Sequence, residues 1–363
     1  MTDADVKAAN NWWDRFFKHR DGLGMGSVSG VYKTHIQPVL DLPWSVVTPT
    51  DVERLRDAFD AKVADGKASA KTMFNAWAVW TVASKAAAGQ WKKDKRRALK
   101  ERDDDPSAGI AGPDYDQDDA KQLQWLYPRE VLAIAGCPDV PLNARRRIVL
   151  STYLCVRGGE LKALTWDKID LERGVIRVDE AFDRERDENK SVKTGNRGAR
   201  RYAIEPTLLP LLKAMHKESG GVGPVVPMGL QKLWALELRN ALAAAKVKRP
   251  ELFTTTDASK RVRFHDLRAS GLTWMAIRGD SPVHIKLVAG HTAFEMTSKY
   301  IAAAGAVDLL PGETVFPALP ENLLKPPEPS KVRKAGRLSQ NLSQELQMLE
   351  TIVEAPGIEP DPS

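Results

Sequence analysis

Cysteine is scarce in this chain, and the sequence has no long apolar run. Its 363 residues include only two cysteines, Cys137 and Cys155, far from any CxxC spacing, so neither a disulfide framework nor a zinc site is expected. No apolar segment reaches the roughly 18 residues that span a bilayer, and the N-terminus lacks the basic and apolar regions of a signal peptide. We therefore expect a soluble, cytoplasmic protein with no membrane partner.

Length and charge set the frame for the remaining patterns. A single core rarely organises 363 residues, so two folded domains with extensions are expected. The formal net charge of +6 and the pI near 9.1 favour polyanionic partners, of which nucleic acid is the commonest. Many basic proteins never touch DNA, so charge agrees with a nucleic-acid partner without establishing one.

Residues 1–105 predict a small helical domain. Apolar residues recur at helical spacing in two segments, Trp12, Trp13, Phe16 and Phe17 in the first and Met73, Ala76, Trp77 and Trp80 in the second. Between them, Thr48 and Pro49 before Asp51 are typical of a helix start. Both apolar stripes are expected to lie in the core.

The polar face of the second segment is a candidate DNA-binding surface. Its short polar and cationic side chains are suited to phosphates and base edges in a major groove, and they are Lys67, Lys71, Thr72 and Asn75. The run over 91–97 adds concentrated positive charge, including Lys92 and Lys93, which suits a DNA backbone. A solvated helix face and an exposed helix end are the alternative interpretations.

Composition divides the rest of the chain. Residues 106–124 are rich in Asp, Pro and Gly and predict an interdomain linker, followed by a larger domain over 125–318 that begins with a helix at Tyr127-Pro128. Residues 319–363 predict a disordered tail. Within the tail, apolar residues mark one amphipathic helix that would suit docking onto a neighbouring subunit, namely Leu338, Leu342, Leu346, Leu349 and Val353.

The larger domain is expected to combine helices with two short strands. Residues 144–165 are apolar enough for one buried helix carrying Arg157, whose charge would then require an anion. Residues 174–178 and 201–204 predict strands. The charged, glycine-containing stretch that joins them predicts a mobile hairpin that holds Lys193.

Chemically competent residues then follow one another in a distinctive order, namely Arg157, Lys193, His265, Arg268, His291 and Tyr300. On a helix, His265 and Arg268 leave the same face and can converge on one phosphate. The strings Arg157-Gly158-Gly159-Glu160, Lys193-Thr194, His265-Asp266-Leu267-Arg268 and Gly290-His291, with Tyr300 nine residues later, resemble the tyrosine recombinase, or phage integrase, family. Val156 and Ala289 depart from the residues that the family more often has beside these motifs.

The resemblance covers roughly residues 10–310 and implies a mainly α fold with a small antiparallel β-sheet in the catalytic domain, in a two-domain clamp around DNA. It implies a site-specific recombinase that integrates or excises a phage or mobile element through a 3′-phosphotyrosyl intermediate, with no cofactor. The implied partners are double-stranded DNA attachment sites, a homotetramer on DNA, and accessory DNA-bending proteins or an excisionase. No arm-binding module is expected ahead of Asn10, unless the chain begins late.

The expected roles follow from the resistance of phosphodiesters to attack. Arg157 and Arg268 bind the non-bridging oxygens of the scissile phosphate, and His291 donates a further hydrogen bond to it. Tyr300 attacks as its proton passes to His265. Lys193 protonates the departing 5′ oxygen.

Several alternatives stay open at the level of sequence. Lys190 competes with Lys193, and Glu160 either orients Arg157 or is its only partner. Three further tyrosines precede the histidine-arginine segment and are interpreted as packing residues, Tyr127, Tyr153 and Tyr202. A type IB topoisomerase, which religates the same strand, is the rival enzyme, and a non-catalytic DNA-binding protein of the same fold is the third hypothesis.

Overall fold

A computed structural model of the chain describes residues 3–22, 28–115, 123–183, 187–191, 199–226, 233–256, 259–305 and 309–325, with side chains from residue 9 onward. The chain divides into two compact units, Met1–Ala120 and Lys121–Ser363, each with its own hydrophobic core. None of the described helices is long and apolar enough to cross a bilayer.

The first unit consists of helices around a cluster of aromatic rings. They are α1 (Asp3–Gly22), α2 (Ser29–Val31), which continues as the π-helical turn Tyr32–Ile36, α3 (Pro49–Ala64) and α4 (Ala70–Ala87). The two predicted apolar stripes are confirmed as core. Trp12 is 3% exposed on α1 and Trp80 is 2% exposed on α4. Trp44 joins them, with its ring centroid 4.8 Å from that of Trp80.

Local sequence determines where these helices begin. Thr48 and Asp51 cap α3 reciprocally, because the Asp51 carboxylate accepts the Thr48 N–H at 3.0 Å and the Thr48 hydroxyl accepts the Asp51 N–H at 3.3 Å. Pro49 occupies the first turn, where its missing N–H costs nothing. The predicted helix start is therefore confirmed.

Part of the stretch with linker composition packs on the first unit. The Trp80 indole donates to the Ser107 hydroxyl at 3.0 Å. At Gly112 an added Cβ would lie 2.4 Å from the Trp77 ring, so only glycine lets the backbone approach this closely. Glycine at this position thus allows the segment to pack against Trp77, and Ile110 of the same segment adds to the core.

The second unit is also mainly helical. Its elements are α5 (Pro128–Gly136), α6 (Leu142–Tyr153), α7 (Gly158–Ala163), β1 (Ile169–Asp170), β2 (Val175–Val178), β3 (Glu180–Asp183), β4 (Glu188–Ser191), β5 (Arg200–Ala203), α8 (Leu209–Ser219), α9 (Trp234–Ala244), α10 (His265–Arg278), α11 (Pro282–Ala289), α12 (Glu295–Gly305) and α13 (Glu321–Leu324). Helix α10 is buried along most of its length. Together with the small antiparallel sheets, this architecture confirms the predicted fold class.

The strands form two antiparallel sheets. Strand β2 lies between β1 and β5, with Ile176 opposite Tyr202, and β3 pairs separately with β4. The two predicted strands are confirmed as β2 and β5, but the stretch between them is more than a hairpin loop because it contains β3 and β4. Half of their eight residues are charged and they show no apolar alternation, so strand propensity does not reveal them.

The predicted single helix over 144–165 is wrong. Helix α6 ends at Tyr153, and Cys155 adopts a left-handed conformation with φ of 51°, which turns the chain. Arg157 consequently lies in extended backbone as the N-cap residue of α7. Its burial is also less than expected, since 40% of its side chain is exposed.

The chain after α12 packs against the core of the second unit. Phe316 and Leu323 are 4% and 0% exposed and belong to its core. The Tyr153 phenol donates to the Pro317 carbonyl at 2.7 Å. Residues 319–325, which have the composition of a tail, are therefore packed. The amphipathic helix predicted farther along the tail lies outside the described residues.

Candidate active site

A buried carboxylate lies at the centre of the candidate site. Glu160, with 1% of its side chain exposed, accepts hydrogen bonds from Arg157 Nη1 at 2.8 Å and from Arg200 Nη1 and Nη2 at 3.1 and 2.7 Å. Arg268 Nη1 lies 3.9 Å from the same carboxylate. Three guanidinium groups surround one carboxylate, so this cluster carries an excess of two positive charges.

The ionisation of Glu160 follows from these neighbours. Burial opposes its charged form, but the hydrogen bonds and charge of Arg200, with the charges of Arg268 and Arg157, lower its pKa to about 2. The carboxylate is thus ionised throughout the ordinary working range of pH. Since it remains an anion, it accepts hydrogen bonds from Arg157 and Arg200 at once and attracts the charge of Arg268.

The spacing of Arg157 and Glu160 has a structural origin. Arg157 caps α7, and its backbone N–H donates to Glu160 Oε2 at 2.8 Å, as in a capping box. Gly159, between them, lets β3 approach closely, because an added Cβ would lie 3.1 Å from the Phe182 carbonyl oxygen. The turn therefore fixes the Arg157 backbone while 40% of its side chain faces solvent.

Arg268 is the deeply buried cation of the site. It lies on α10, and its guanidinium donates to the Cys155 carbonyl at 2.7 Å and to the Ala289 carbonyl. One turn later, an added Cβ at Gly271 would lie 2.0 Å from the Thr152 carbonyl oxygen. Glycine therefore allows α10 to approach the end of α6, which brings Arg268 to the turn at Cys155. Burial and the charge of Arg157 lower the pKa of Arg268 to about 10, so it is still a cation at neutral pH.

Arg200 belongs to this cluster, although the sequence analysis does not name it as a site residue. It occupies an inward position of β5, and its Nε–H donates to the Val288 carbonyl at 2.8 Å. Gly290, with φ of 60°, gives it room, since an added Cβ would lie 3.1 Å from Arg200 Nη1. The available signal was strand alternation, because the core residue Tyr202 places Arg200 on the same face.

His291 and Tyr300 complete the constellation. Their rings stack with centroids 5.8 Å apart and an interplanar angle of 12°. His291 Nε2 lies 3.3 Å from Arg268 Nη2, and Nδ1 lies 3.0 Å from Thr297 Oγ1. A guanidinium can only donate, so Nε2 accepts and the proton of the neutral imidazole lies on Nδ1, facing Thr297.

Both histidines are neutral at physiological pH in this cationic environment. Desolvation and the charges of Arg268 and Arg157 lower the pKa of His291 to about 4. Desolvation and the arginine charges likewise lower the pKa of His265, the first residue of α10, to about 4. The side chain of His265 is exposed in part, which limits its desolvation. The positive charges of Arg268, Arg263 and Arg157 therefore contribute to the lowering of its pKa as well.

The phenol of Tyr300 experiences opposing influences. Burial raises its pKa above the usual value, whereas the charges of Arg268 and Arg157 and a hydrogen bond from Arg268 lower it. The net shift is upward, so the phenol is protonated at neutral pH. Attack by its oxygen therefore requires a proton acceptor.

Comparison with known proteins identifies the family. A profile described as "Phage integrase family" matches residues 124–306, which is half of the chain. The chain belongs to the phage integrase family. It is accordingly a tyrosine-type site-specific recombinase. None of the curated proteins matches it significantly.

Solved structures with the same fold include two integrases bound to DNA. A Tn1549 transposon integrase in complex with a circular intermediate DNA is 16% identical, with a TM-score of 0.56, over 81% of this chain and 94% of that chain. A lambda integrase dimer bound to a core site is 15% identical, with a TM-score of 0.52, over 80% of this chain and 76% of that chain. At these identities the likeness shows the fold.

The candidate lysines and the alternative tyrosines of the recombinase lie apart from this cluster or outside the described residues. Lys193 lies outside the described residues, and Lys190 pairs with Asp183 across the β3–β4 hairpin. Among the alternative tyrosines, the Tyr202 phenol donates to the Leu154 carbonyl at 2.6 Å, which ties it to backbone. The Tyr153 phenol is tied to the Pro317 carbonyl in the same way.

The predicted DNA-binding residues of the first unit are mostly exposed. Lys67 pairs with Asp65 at 2.8 Å. Lys71 Nζ lies 4.5 Å from the centroid of the Tyr115 ring. The remaining candidates are Thr72, whose backbone N–H donates to the capping Ser69 hydroxyl at 3.1 Å, Asn75 on the exposed face of α4, and Lys92 and Lys93 in the turn region after that helix. The part of the chain that the structure describes holds no group of three or more His, Cys, Asp or Glu side chains able to bind a metal ion.

Proposed function

We propose that this recombinase cleaves and rejoins double-stranded DNA at attachment sites through a transient bond between Tyr300 and a 3′ phosphate. The observation that carries the proposal is the cationic cluster beside this phenol, in which three arginines share one carboxylate. A phosphodiester supplies negative charge where the cluster lacks it. The expected roles of Arg157, His265, Arg268, His291 and Tyr300 rest on this arrangement, whereas the role of Lys193, which lies outside the described residues, rests on the family resemblance.

Arg157 and Arg268 are suited to different parts of phosphate binding. Arg268 is held by two backbone carbonyls, so its charge is preorganised and requires little rearrangement when the transition state forms. Arg157 is 40% exposed and can reach outward to the incoming DNA. Together they would neutralise the charge that builds up on the non-bridging oxygens.

His291 would change its protonation when DNA binds. In the free protein its Nε2 accepts from Arg268. A phosphate beside the ring favours the imidazolium, because nearby negative charge stabilises the charged form. Nε2–H would then donate to a phosphate oxygen, and the Nη2–H of Arg268 that His291 no longer accepts would become available to the phosphate.

The proton balance of cleavage assigns one acceptor and one donor. The Tyr300 oxygen forms a bond to phosphorus, the bond from phosphorus to the 5′ oxygen breaks, and the phenolic proton passes to neutral His265. Lys193 gives a proton to the departing 5′ oxygen. Rejoining is the reverse, in which a 5′ hydroxyl attacks the phosphotyrosyl bond.

Assembly and biological context are proposed from the relatives. A lambda integrase tetramer bound to a Holliday junction is 15% identical to this chain, with a TM-score of 0.50, over 80% of this chain and 76% of that chain. We expect the same kind of tetramer here, on the DNA of a phage or other mobile element and associated with the nucleoid. Residues 1–105 would serve as the DNA-binding domain and 125–318 as the catalytic domain. Accessory DNA-bending proteins or an excisionase stay a prediction.

The direct test is covalent capture on a nicked suicide substrate, in which cleavage releases a short strand and prevents rejoining. The substrate is built from the junctions of the integrated element that carries the gene. The wild-type protein should form a DNA-linked species, and Tyr300→Phe should bind DNA but form none, because only the attacking oxygen is removed. Tyr127→Phe is the matched control and should form the adduct. Adduct formation by Tyr300→Phe would refute Tyr300 as the nucleophile.

A further inference from the structure

Arg200 connects the parts of the site that act on phosphate. We infer that Arg200 is a positioning residue, which holds the phosphate-binding arginines and the His291 segment in their reactive arrangement without touching DNA itself. The inference rests on the proposed function of that site. Its first support is burial, since 3% of the Arg200 side chain is exposed and direct contact with DNA is blocked.

The first connection runs through Glu160. Arg200 binds both carboxylate oxygens, with Nη1 at 3.1 Å from Oε1 and Nη2 at 2.7 Å from Oε2. This two-point contact fixes the plane of the carboxylate. Oε1 then accepts from Arg157 Nη1, and Oε2 faces Arg268 Nη1 at 3.9 Å. Arg157 is thus oriented by an oxygen that Arg200 holds in place, and the positive charge of Arg268 is partly balanced by the other oxygen.

The second connection runs through the end of α11. Arg200 Nε–H donates to the Val288 carbonyl at 2.8 Å. The next carbonyl, that of Ala289, accepts from Arg268, and His291 follows two residues later. A single guanidinium therefore ties β5 to both the carboxylate and the chain that carries His291. The three N–H donors of a lysine leave from a single nitrogen, so lysine cannot reach both Glu160 oxygens and the Val288 carbonyl as the three nitrogens of Arg200 do.

The environment of Glu160 makes this role measurable through pH. The charged or titratable groups near it are Arg157 on its own helix, Arg200 on β5, Arg268 and His265 on α10, and Lys168, Arg177, Asp179 and Glu180 around the adjoining small cavity. Of the causes that lower the pKa of Glu160, the hydrogen bonds and charge of Arg200 are the largest. Without Arg200, protonation of Glu160 should begin at a higher pH and should disable the carboxylate as an acceptor.

The experiment measures single-turnover cleavage of the suicide substrate at saturating DNA. Arg200→Ala should cleave about 10- to 100-fold more slowly than wild type at neutral pH, the range typical of residues that orient a reactive group from behind. Arg200→Lys should recover part of that loss. Arg201→Ala is the matched control, because Arg201 is the next residue of β5 and its side chain is 62% exposed. It should cleave at the wild-type rate.

The pH profile separates positioning from a general loss of structure. For Arg200→Ala the deficit relative to wild type should grow as pH falls from 8 to about 5.5, whereas in the Arg200→Ala, Glu160→Gln double variant it should be constant, since no carboxylate titrates. Cleavage by Arg200→Ala at the Arg201→Ala rate would overturn the inference. A deficit that is independent of pH in the single variant would overturn it as well.

Two further controls keep the outcomes distinct. Absence of any adduct with the wild-type protein would count against the proposed function, not against the role of Arg200. If Arg200→Ala fails to bind DNA, the same pH series is run with Arg200→Gln, which keeps a polar side chain but removes the positive charge. A constant deficit for that variant would refute the inference.

Discussion

At the scale of single residues, the two phosphate-binding arginines differ in what the fold asks of them. Arg268 is 1% exposed and holds two backbone carbonyls, whereas 40% of the Arg157 side chain is exposed. Removing a buried partner leaves polar groups without hydrogen bonds, which is far more costly than removing a surface charge. Both arginines are expected to bind phosphate, but only Arg268 should also be needed for the stability of the fold.

We predict that Arg157→Ala and Arg268→Ala each slow cleavage about 100- to 1000-fold, the usual effect of losing a preorganised donor. Arg268→Ala should also lower the free energy of unfolding by about 3–5 kcal/mol, because it leaves the buried carbonyls of Cys155 and Ala289 without their donor. Arg157→Ala should lower it by less than about 1 kcal/mol. Single-turnover cleavage and denaturant titration check both statements, and equal losses of stability would contradict this assignment.

The depressed pKa of His291 predicts a loss of stability in acid. Its folded pKa of about 4 lies below the ordinary value of 6.5, so the unfolded chain takes up the proton first as pH falls. The stabilising contribution is complete above about pH 6.5 and is lost as pH drops toward 4. His291→Gln should therefore lose less stability than wild type between pH 7.5 and 4.5, by on the order of 2 kcal/mol. Thermal melts at the two pH values measure this, and identical losses would refute it.

At the scale of elements, helix ends fix the geometry of the site. Helices α10 and α11 both end at a glycine in the left-handed conformation, Gly279 with φ of 88° and Gly290 with φ of 60°. An added Cβ at Gly279 meets nothing within 4 Å, whereas at Gly290 it meets the Arg200 guanidinium. One helix end is therefore an ordinary cap and the other also makes room for a residue of the site.

These two glycines form a matched pair for a test. Gly279→Ala and Gly290→Ala should each lower the free energy of unfolding by roughly 1 kcal/mol, the cost of placing alanine at positive φ. Only Gly290→Ala should also slow cleavage, because it displaces Arg200. Comparison of cleavage rates at matched stability decides the point. Equal cleavage by both variants would show that the close approach at Gly290 has no catalytic consequence.

An element is predictable from sequence when the residues that stabilise it lie close together along the chain. The helix at Pro49 was predictable because its caps lie within one turn of sequence. Strands β3 and β4 were not, because their stability depends on pairing with each other and their charged residues show no alternation. The break between α6 and α7 was missed because an apolar run contains no sign of the left-handed turn at Cys155.

At the scale of the whole molecule, the site joins residues that are far apart in sequence. The motifs around Arg157, His265 and Tyr300 were recognisable because each is a short local string. Strand alternation with Tyr202 indicates that Arg200 is buried but not what it binds, because its partner Glu160 lies 40 residues away in sequence. Long-range pairing of this kind depends on the complete fold of the second unit, which composition and periodicity do not specify.

The central claim is that the Tyr300 oxygen becomes bonded to DNA, and mapping the attachment site tests it most directly. The adduct formed on a suicide substrate would be digested with nuclease and trypsin, and the peptide that retains a nucleotide would be sequenced by mass spectrometry. Because Lys299 precedes the proposed nucleophile, the modified peptide should begin at Tyr300 and carry the nucleotide on that residue. Attachment at Tyr127, Tyr153 or Tyr202, or at any residue other than Tyr300, would contradict the account.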